Sequence, residues 1–452
     1  MRILVIGAVA AGTSAATKAR RNNAEAEIVI YEQGEHISYI GCDTPYYIGG
    51  VIDDINTLAP RGVDFFKEKH NVDVKIRHRV TAINLSEKTL TVMDLDNEQS
   101  FIDKYDTLVI ATGAKSTLPL IKGIEQDHVF SLRTLQDAID IENFISEKKP
   151  KTAAIIGSGS IGMELSENFV RRGLDTHMIE MAPYIHPALD PEMAKQVEDH
   201  LLEHEINLYK DAQAKKITTD HVLTADGQKI PGDIVIVATG VKAEVSLARE
   251  AGIEIGESGA IAVNEFLQTS DPSVYACGDC IEHFNLITQK PGFFPLGSTA
   301  NKTGRIVGDI ITGGKLSFRG VVGTGIFQVF GLNVAKTGLT ESQARAAGYD
   351  IEIANIVMPP ERISALKNEN IHIKAIADRD TEKLLGVQII GKSGVSKRMD
   401  VLVTAMTLGA KVSDLFHLDL AYSPLHSLVR DPVMYVGMVL SGAISKSKAK
   451  TK

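Results

Sequence analysis

The sequence predicts an α/β fold in which two similar strand–turn–helix units are followed by a smaller α+β domain. A strand, glycine turn and helix pattern begins at residue 3 and returns at residue 153. In each copy a second strand ends in an acid, Glu32 or Glu180, and a later strand ends in Ala-Thr-Gly. After about residue 320 the apolar residues alternate, as in antiparallel strands. A spacing of 150 residues is too long for a solenoid repeat, so each copy is expected to be a domain.

The length and composition agree with this organisation. The chain has 452 residues, 44% of them hydrophobic and 23% charged, which is typical of a globular protein of two to four domains. A net charge of −9 gives no electrostatic reason to expect nucleic acid or an anionic membrane as a partner. No apolar stretch approaches the roughly 20 residues that span a bilayer. We therefore expect no membrane association.

The N-terminus and the cysteine count indicate the compartment. Residues 2–12 resemble a signal peptide in being apolar, but their two glycines and the basic residues that follow favour a buried strand and a helix. Cys42, Cys277 and Cys280 are the only cysteines, too few for a disulfide scaffold. An odd count suggests a reducing compartment, so we expect a cytoplasmic protein.

The second unit carries an intact dinucleotide fingerprint, Gly157-Ser-Gly159-Ser-Ile-Gly162. The first glycine permits a tight turn, the second lets a diphosphate approach the backbone, and the third lets the helix pack closely. The free N–H groups of the helix then face the anion. Glu180 has the position of a carboxylate that binds the adenosine ribose and repels a 2′-phosphate, which favours NADH over NADPH.

The first unit departs from the fingerprint at one position. It reads Gly7-Ala-Val9-Ala-Ala-Gly12, with Val9 in place of the second glycine. Taken alone, this could be an ordinary strand–helix turn. Glu32 lies 20 residues after Gly12, at the spacing of a ribose-binding acid, and this favours a second nucleotide site.

The C-terminal third predicts a domain of a different kind. Residues 325–330, 371–377 and 384–390 alternate like antiparallel strands, with helices near 340–347 and 396–409. The tail, residues 446–452, contains only Ser, Lys, Ala and Thr and is expected to be disordered.

Residues 269–279, Thr-Ser-Asp-Pro-Ser-Val-Tyr-Ala-Cys-Gly-Asp, complete a resemblance to a known family. With the two glycine turns, the two Ala-Thr-Gly strands and the C-terminal α+β pattern, the chain resembles the pyridine nucleotide–disulfide oxidoreductases from residue 1 to about 440. The resemblance implies two Rossmann-like domains and a dimerisation domain. It places a discontinuous FAD domain at residues 1–114 and 241–320, an NAD(P)H domain at 115–240 and an interface domain at 321–445, which makes a homodimer.

The resemblance also implies cofactor contacts. Asp279 is expected to hydrogen-bond the ribityl chain of FAD. The residues expected to bind FAD and NADH, with NADPH left open, are Gly7, Ala11, Gly12, Glu32, Val80, Ala111, Thr112, Gly113, Gly157, Gly159, Ile161, Gly162, Glu180, Gly240, Asp279 and Ala300.

Cys42 separates the chain from one branch of that family. Members with a redox disulfide carry Cys-x4-Cys, but residue 47 here is Tyr. Residues 38–50 resemble the single-cysteine branch, which holds coenzyme A-disulfide and persulfide reductases, NADH oxidases and NADH peroxidases, and they are most similar to the coenzyme A-disulfide reductases. A lone Cys can also be a small buried apolar residue. In this context we expect Cys42 to be the redox centre, with its pKa lowered by the helix predicted after it.

Cys277 and Cys280 have a spacing that could suggest zinc or a redox pair. A closed zinc site needs four ligands, and the sequence has no second pair. Asp279 between them is required by the flavin in the family pattern. Packing is therefore the preferred explanation, and no metal is expected.

Three residues are candidates for binding coenzyme A by resemblance. Lys18 and Arg21 lie at i, i+3 on the first helix, able to receive phosphates, although they could equally form a solvated face. Ser38 matches the family pattern near the cysteine, whereas Gly41 replaces its Asn.

Two further candidates are expected to arrive from the partner subunit. Tyr422 matches one of two family tyrosines, while the other falls near Ser364, where this chain has none. His426 could be an acid–base group near the thiol or a packed interface residue.

These features predict a flavoprotein that passes electrons from NAD(P)H through FAD to Cys42 and on to a small disulfide or persulfide, carried by coenzyme A. One alternative is an NADH oxidase. Ala10, which stands where the oxidases carry a His, argues against it, and Ser160, which replaces a Tyr that covers the flavin, argues for it. The other alternative is a flavin-based redox sensor, which the intact second fingerprint disfavours.

Overall fold

The computed structural model describes residues 1–362 and 369–450, and its architecture confirms the predicted fold class. Within these residues two five-stranded parallel sheets are followed by a five-stranded antiparallel sheet. Strands and helices are numbered here in chain order.

The first parallel sheet is formed by residues from both sides of the second one in the sequence. Its strand order is β18 (Val274–Ala276), β7 (Thr107–Ile110), β1 (Arg2–Ile6), β2 (Glu27–Tyr31), β3 (Asp73–Lys75). Its central strands are continuous apolar runs, as expected where helices or other layers cover both faces. Pairing of β18 with β7 makes the first domain discontinuous, although the exact domain boundaries stay a prediction.

The second parallel sheet repeats this plan. Its order is β12 (Asn207–Tyr209), β11 (Asp175–Ile179), β10 (Thr152–Ile156), β16 (Ile234–Val237), β9 (Val129–Phe130). The glycine turns follow β1 and β10, so both turns lie at the carboxyl ends of central strands. In open parallel sheets this is the edge where ligands bind.

The C-terminal sheet is antiparallel throughout, in the order β21 (Gly325–Val329), β22 (Leu332–Gly338), β25 (Leu384–Gly391), β24 (Ile371–Asp378), β23 (Ile351–Met358). The three strands predicted from alternation are all present. Small sheets complete the fold: β4 (His78–Asn84) with β5 (Thr89–Asp94) and β6 (Gln99–Lys104); β13 (Ala214–Ile217) with β14 (His221–Thr224) and β15 (Lys229–Pro231); β8 (Ala114–Ser116) with β17 (Val241–Ala243); and β19 (His283–Phe284) with β20 (Pro291–Gly292).

The helices are α1 (Ala10–Asn22), α2 (Thr44–Ile48), α3 (Val63–His70), α4 (Leu135–Lys148), α5 (Ser160–Arg171), α6 (Pro191–Glu203), α7 (Ser246–Glu250), α8 (Gly297–Ile310), α9 (Glu341–Ala346), α10 (Val395–Leu408) and α11 (Pro432–Lys450). Helix α8 packs directly on α1 because it has glycines at the contact. A Cβ on Gly304 would lie 2.2 Å from the carbonyl oxygen of Ala11, and one on Gly308 would lie 2.3 Å from that of Ala15. This close packing fixes α1 beneath the first glycine turn.

The prediction of a disordered tail at residues 446–452 is wrong for residues 446–450. Helix α11 continues through them, and Lys448 pairs with Glu382 at 2.7 Å. Ala and Lys are strong helix formers, so a low-complexity tail can extend a helix already anchored in the core. Residues 451 and 452 lie outside the described residues. No helix in the part of the chain that the structure describes is long and apolar enough to cross a membrane.

Candidate active site

Each glycine turn is hydrogen-bonded to the acidic residue that follows the second strand of its unit, and the arrangement is the same in both units. Glu32 accepts hydrogen bonds from the Ala8 and Gly34 N–H groups at 2.8 and 2.9 Å. Glu180 accepts from the Ser158 and Ala182 N–H groups at 3.1 and 2.9 Å. Each carboxylate therefore lies beside its turn, where the sequence spacing predicted a ribose-binding group.

The glycines of the second fingerprint differ in what surrounds them. A Cβ on Gly157 would lie 2.5 Å from the Ala238 carbonyl oxygen, and one on Gly162 would lie 2.4 Å from the Gly157 carbonyl oxygen. At Gly159 no described atom lies within 4 Å of that position. The outer glycines are thus required by packing, whereas the middle one opens onto free space. In the first turn, Gly7 and Gly12 are crowded in the same way. An added Cβ would lie 2.3 Å from the Ala111 carbonyl oxygen at Gly7 and 1.9 Å from the Gly7 carbonyl oxygen at Gly12.

The helices that follow the turns have free N-termini. Neither α1 nor α5 has a side-chain cap among the described residues, whereas α4 and α9 begin with complete capping boxes. Uncapped N–H groups at a glycine turn form an anion site, and this arrangement fits the diphosphates of two dinucleotides.

Asp279 also has the features of a ligand-binding residue. It is buried, and its Oδ2 accepts a 2.7 Å hydrogen bond from Arg133. Its Oδ1 is buried and has no partner in residues 1–362 and 369–450. An unpaired buried oxygen is costly unless a ligand supplies a donor, and the ribityl hydroxyl of a flavin would do so.

Other expected cofactor residues lie around these groups. Ala111, Thr112 and Gly113 follow β7, and the Thr112 hydroxyl donates to the Glu244 carbonyl oxygen at 2.6 Å. Val80 is buried in β4. Ala300 lies in α8 near Gly278, Ile161 in the first turn of α5, and Gly240 after β16 with φ +100°. The contacts of these residues with cofactors stay a prediction.

Cys42 is an exposed free thiol in the 3-10 turn Gly41–Asp43, which leads into α2. Helix α2 packs against α5 of the second domain, since a Cβ on Gly49 would overlap Asn168. Desolvation by the surrounding protein raises the pKa of the Cys42 thiol, and the nearby Glu164 and Asp43 raise it further, whereas Arg133 lowers it.

The expected lowering of the Cys42 pKa by a following helix is therefore wrong. Helix α2 has only five residues, and carboxylates rather than cations dominate the surroundings. The Glu164 carboxyl has no hydrogen-bond or ion-pair partner among the described residues. Its pKa rises to about 7, chiefly through burial and further through Glu167 and Asp43.

Cys277 and Cys280 behave as packing residues, as predicted. Both are fully buried in the first domain's core. Burial raises the pKa of Cys277 well above its usual value and that of Cys280 to about 11. Among the described residues no group of three His, Cys, Asp or Glu side chains could hold a metal ion.

The substrate candidates are only partly free to bind phosphate. Lys18 pairs with Asp309 at 3.0 Å, which occupies its ammonium. Arg21 is exposed, and its Nε donates to the Thr17 carbonyl oxygen at 3.2 Å. Ser38 has φ +50° and donates its N–H to Ala8 at 2.8 Å, so it lies against the first glycine turn.

Tyr422 and His426 are exposed residues of one C-terminal segment. Asp431 anchors this segment. It accepts hydrogen bonds from Ser427 Oγ at 2.6 Å and from Arg398 Nη2 at 3.1 Å. Ser364 lies outside the described residues.

Comparison with known families decides the classification. The model of "Pyridine nucleotide-disulphide oxidoreductase" matches residues 1–295, and the dimerisation domain of the same family matches residues 326–432. The chain belongs to the pyridine nucleotide-disulphide oxidoreductase family. It is therefore an oxidoreductase, as predicted.

Full-length relatives of this oxidoreductase carry related names. A Pyrococcus furiosus "NAD(P)H sulfur oxidoreductase (CoA-dependent)" is 34% identical over 97% of this chain and 99% of its own. A Methanocaldococcus jannaschii "NADH oxidase" is 33% identical over 96% and 97%. The solved structure of a NAD-dependent persulfide reductase from A. fulgidus has a TM-score of 0.96 and 37% identity, covering 99% of this chain and 84% of that one.

Sequence reasoning missed two residues of this oxidoreductase that the structure brings to the site. Arg133 stands just before α4 and gave no signal, because its partner Asp279 is 146 positions away. Glu164 lies two residues after the fingerprint. The one hint to it in the sequence was an acidic residue with no basic residue close to it in the chain.

Proposed function

We propose that the chain is an NAD(P)H-dependent flavoprotein that reduces a small disulfide or persulfide carried by coenzyme A. The observation that carries the proposal is a single exposed thiol, Cys42, in the domain that also holds Asp279 and near Glu164 of the helix that begins at the second fingerprint. The other two cysteines are buried and have raised pKa values, so the second sulfur must come with the substrate.

FAD, when bound, would supply two-electron transfer between the nicotinamide and sulfur. The residues of the chain then have distinct tasks. Asp279 and the α1 turn hold the flavin, and Gly159 and Glu180 hold NADH. The Glu180 carboxylate would repel a 2′-phosphate, which favours NADH over NADPH.

Cys42 carries out the sulfur chemistry. Its thiolate attacks one sulfur of the disulfide, which forms a mixed disulfide and expels one thiolate. Two electrons then cleave the mixed disulfide, and two protons complete the two thiols. Burial raises the pKa of the Cys42 thiol, and the nearby Glu164 and Asp43 raise it further, so a higher pH favours the attacking thiolate.

We further propose that the active unit is a cytoplasmic homodimer. The match to the family's dimerisation domain supports this, as do the exposed apolar side chains of Leu425 (54% exposed) and Val429 (65%) beside Tyr422. In this arrangement Tyr422 and His426 act at the partner's thiol, and Lys18, Arg21 and Ser38 contact coenzyme A. Three free cysteines fit a reducing compartment.

The test is an anaerobic stopped-flow experiment on the purified holoenzyme. NADH is added first, and coenzyme A disulfide, coenzyme A persulfide or air follows in separate runs. We expect rapid flavin reoxidation by a coenzyme A species and its loss in Cys42→Ser. The relative named NADH oxidase makes oxygen the second candidate electron acceptor. Reoxidation of the flavin by air alone would contradict the proposal.

A further inference from the structure

Lys336 on β22 is a cation without a partner. Its side chain is half-buried between domains, and within residues 1–362 and 369–450 its ammonium forms no hydrogen bond or ion pair. Burial lowers its pKa. A partly desolvated, unpaired ammonium is unfavourable unless an anion joins it.

Strand pairing fixes the direction of Lys336. It stands opposite Gln388 on β25, which stands opposite Lys374 on β24. Directly paired residues share one face of a sheet, so the three side chains form a row. Gln388 donates to Asp190 at 2.6 Å, and Asp190 immediately precedes α6 of the second domain. The row therefore faces the second domain.

Lys374 and Lys336 differ in how their charge is used. Lys374 is buried and pairs with Asp190 at 3.0 Å, Glu341 at 2.9 Å and also Glu192. Asp190 in turn accepts from Gln388 and from the Glu341 N–H. The carboxylates of this cluster are satisfied by direct bonds without Lys336, whose ammonium is attracted by Asp190 but forms no direct bond to it.

His186 connects the sheet that carries Lys336 to the second glycine turn. The charge of Lys336 contributes to lowering the pKa of His186, after the larger effect of burial. The ring of His186 packs on Phe327 of β21, with centroids 4.9 Å apart. The backbone N–H of His186 donates to Ser158 Oγ at 2.8 Å, and Ser158 lies between the first two fingerprint glycines.

His186 itself brings no charge. Burial lowers its pKa to about 4, so it is neutral near pH 7. Its Nδ1 is 3.2 Å from the Ser158 carbonyl oxygen, which only accepts, so Nδ1 carries the hydrogen. Lys336 is therefore the cation that this face of the sheet presents toward the segment bonded to the second glycine turn.

We propose that Lys336 binds the diphosphate of the nicotinamide dinucleotide from the C-terminal domain, opposite the N-terminus of α5. This inference rests on the proposed role of the second fingerprint as the NADH site. It assigns a phosphate ligand outside the nucleotide-binding domain, so that the dinucleotide bridges two domains.

The test is calorimetric titration of the FAD-loaded protein with NAD⁺, ADP-ribose, AMP and NADP⁺, at low and high salt. In Lys336→Met we expect the Kd of NAD⁺ and of ADP-ribose to rise roughly tenfold or more, because a charge-assisted hydrogen bond is lost. The Kd of AMP should change less than about twofold, and the salt dependence should weaken. Lys336→Arg should retain most of the affinity, and exposed Lys148→Met on α4 is the matched control.

Several outcomes would overturn the inference. An unchanged Kd of NAD⁺ in Lys336→Met would contradict the inference directly. A loss of affinity confined to NADP⁺ would show that Lys336 binds a 2′-phosphate instead. An equal loss of affinity for all four ligands, with a lowered melting temperature, would show that Lys336 supports domain packing. Wild-type protein that binds no nicotinamide dinucleotide would overturn the proposed function, which is a distinct result from a Lys336→Met effect.

Discussion

Arg133 donates a 2.7 Å hydrogen bond to Oδ2 of Asp279 and leaves Oδ1 buried without a partner among the described residues. Arg133 precedes α4 of the second domain, whereas Asp279 follows β18 of the first. One oxygen of the carboxylate thus ties the two domains together while the other stays available to a ligand.

Substitution of Asp279 should therefore release the flavin. In Asp279→Leu we expect the FAD content of purified protein to fall well below that of wild type, because an acceptor for the ribityl chain and the partner of Arg133 are both lost. Absorbance ratios at 450 and 280 nm after gel filtration measure it. Asp380→Asn, an exposed acid of the C-terminal domain, is the control. Full flavin retention in Asp279→Leu would contradict the assignment.

The three fingerprint glycines should respond differently to alanine. Gly162→Ala places a Cβ 2.4 Å from the Gly157 carbonyl oxygen and should destabilise the fold by about 1–3 kcal/mol. Gly159→Ala meets only open space, so its unfolding free energy should change by less than about 1 kcal/mol, while its KM for NADH rises several-fold. Urea unfolding and steady-state kinetics separate the two effects. Equal destabilisation by both changes would refute the packing argument.

The sequence allows prediction of those features that are encoded locally. The turns at Gly7 and Gly157, their acids and the antiparallel C-terminal strands follow from periodicity and spacing, and all were predicted. Pairings over long distances were not: Arg133 with Asp279, and Asp190 with Lys374, join residues 146 and 184 positions apart, and no local pattern marks them. The raised pKa of Cys42 was missed for the same reason, because it arises chiefly from burial by the folded protein and then from Glu164, which comes to it from another domain.

Glu164 should make stability depend on pH. Its folded-state pKa is about 7 against an ordinary value of 4.5, so the folded protein binds more protons than the unfolded chain between these values. The contribution of Glu164 to the unfolding free energy therefore falls as pH rises from 4.5 to 7 and is constant above. The full shift corresponds to about 3 kcal/mol, and solvent screening reduces it.

Glu164→Gln should remove this dependence. The variant and wild type should have similar stability near pH 5, and the variant should be the more stable at pH 8, as measured by urea unfolding. Exposed Glu147→Gln on α4 controls for loss of one charge. Parallel stability curves for wild type and Glu164→Gln across this range would show that the carboxyl titrates normally.

The last prediction concerns the segment that carries Tyr422 and His426. Its support is Asp431, which accepts from Ser427 Oγ at 2.6 Å and pairs with Arg398, both charges being almost fully buried. Removal of one partner of a buried ion pair costs about 3–5 kcal/mol, so Arg398→Met should lower the unfolding free energy severely.

Ser427→Ala is the sharper probe, because it loosens the segment and leaves both charges in place. We expect it to cost about 1 kcal/mol and to slow reoxidation of the enzyme by the disulfide, with NADH-dependent flavin reduction unchanged. The two half-reactions are separable in the stopped flow. Ser441→Ala in α11 is a matched control, because the Ser441 hydroxyl has no partner in the described part of the chain. If Ser427→Ala slowed both half-reactions equally, the segment would support the fold rather than the chemistry at the partner's thiol.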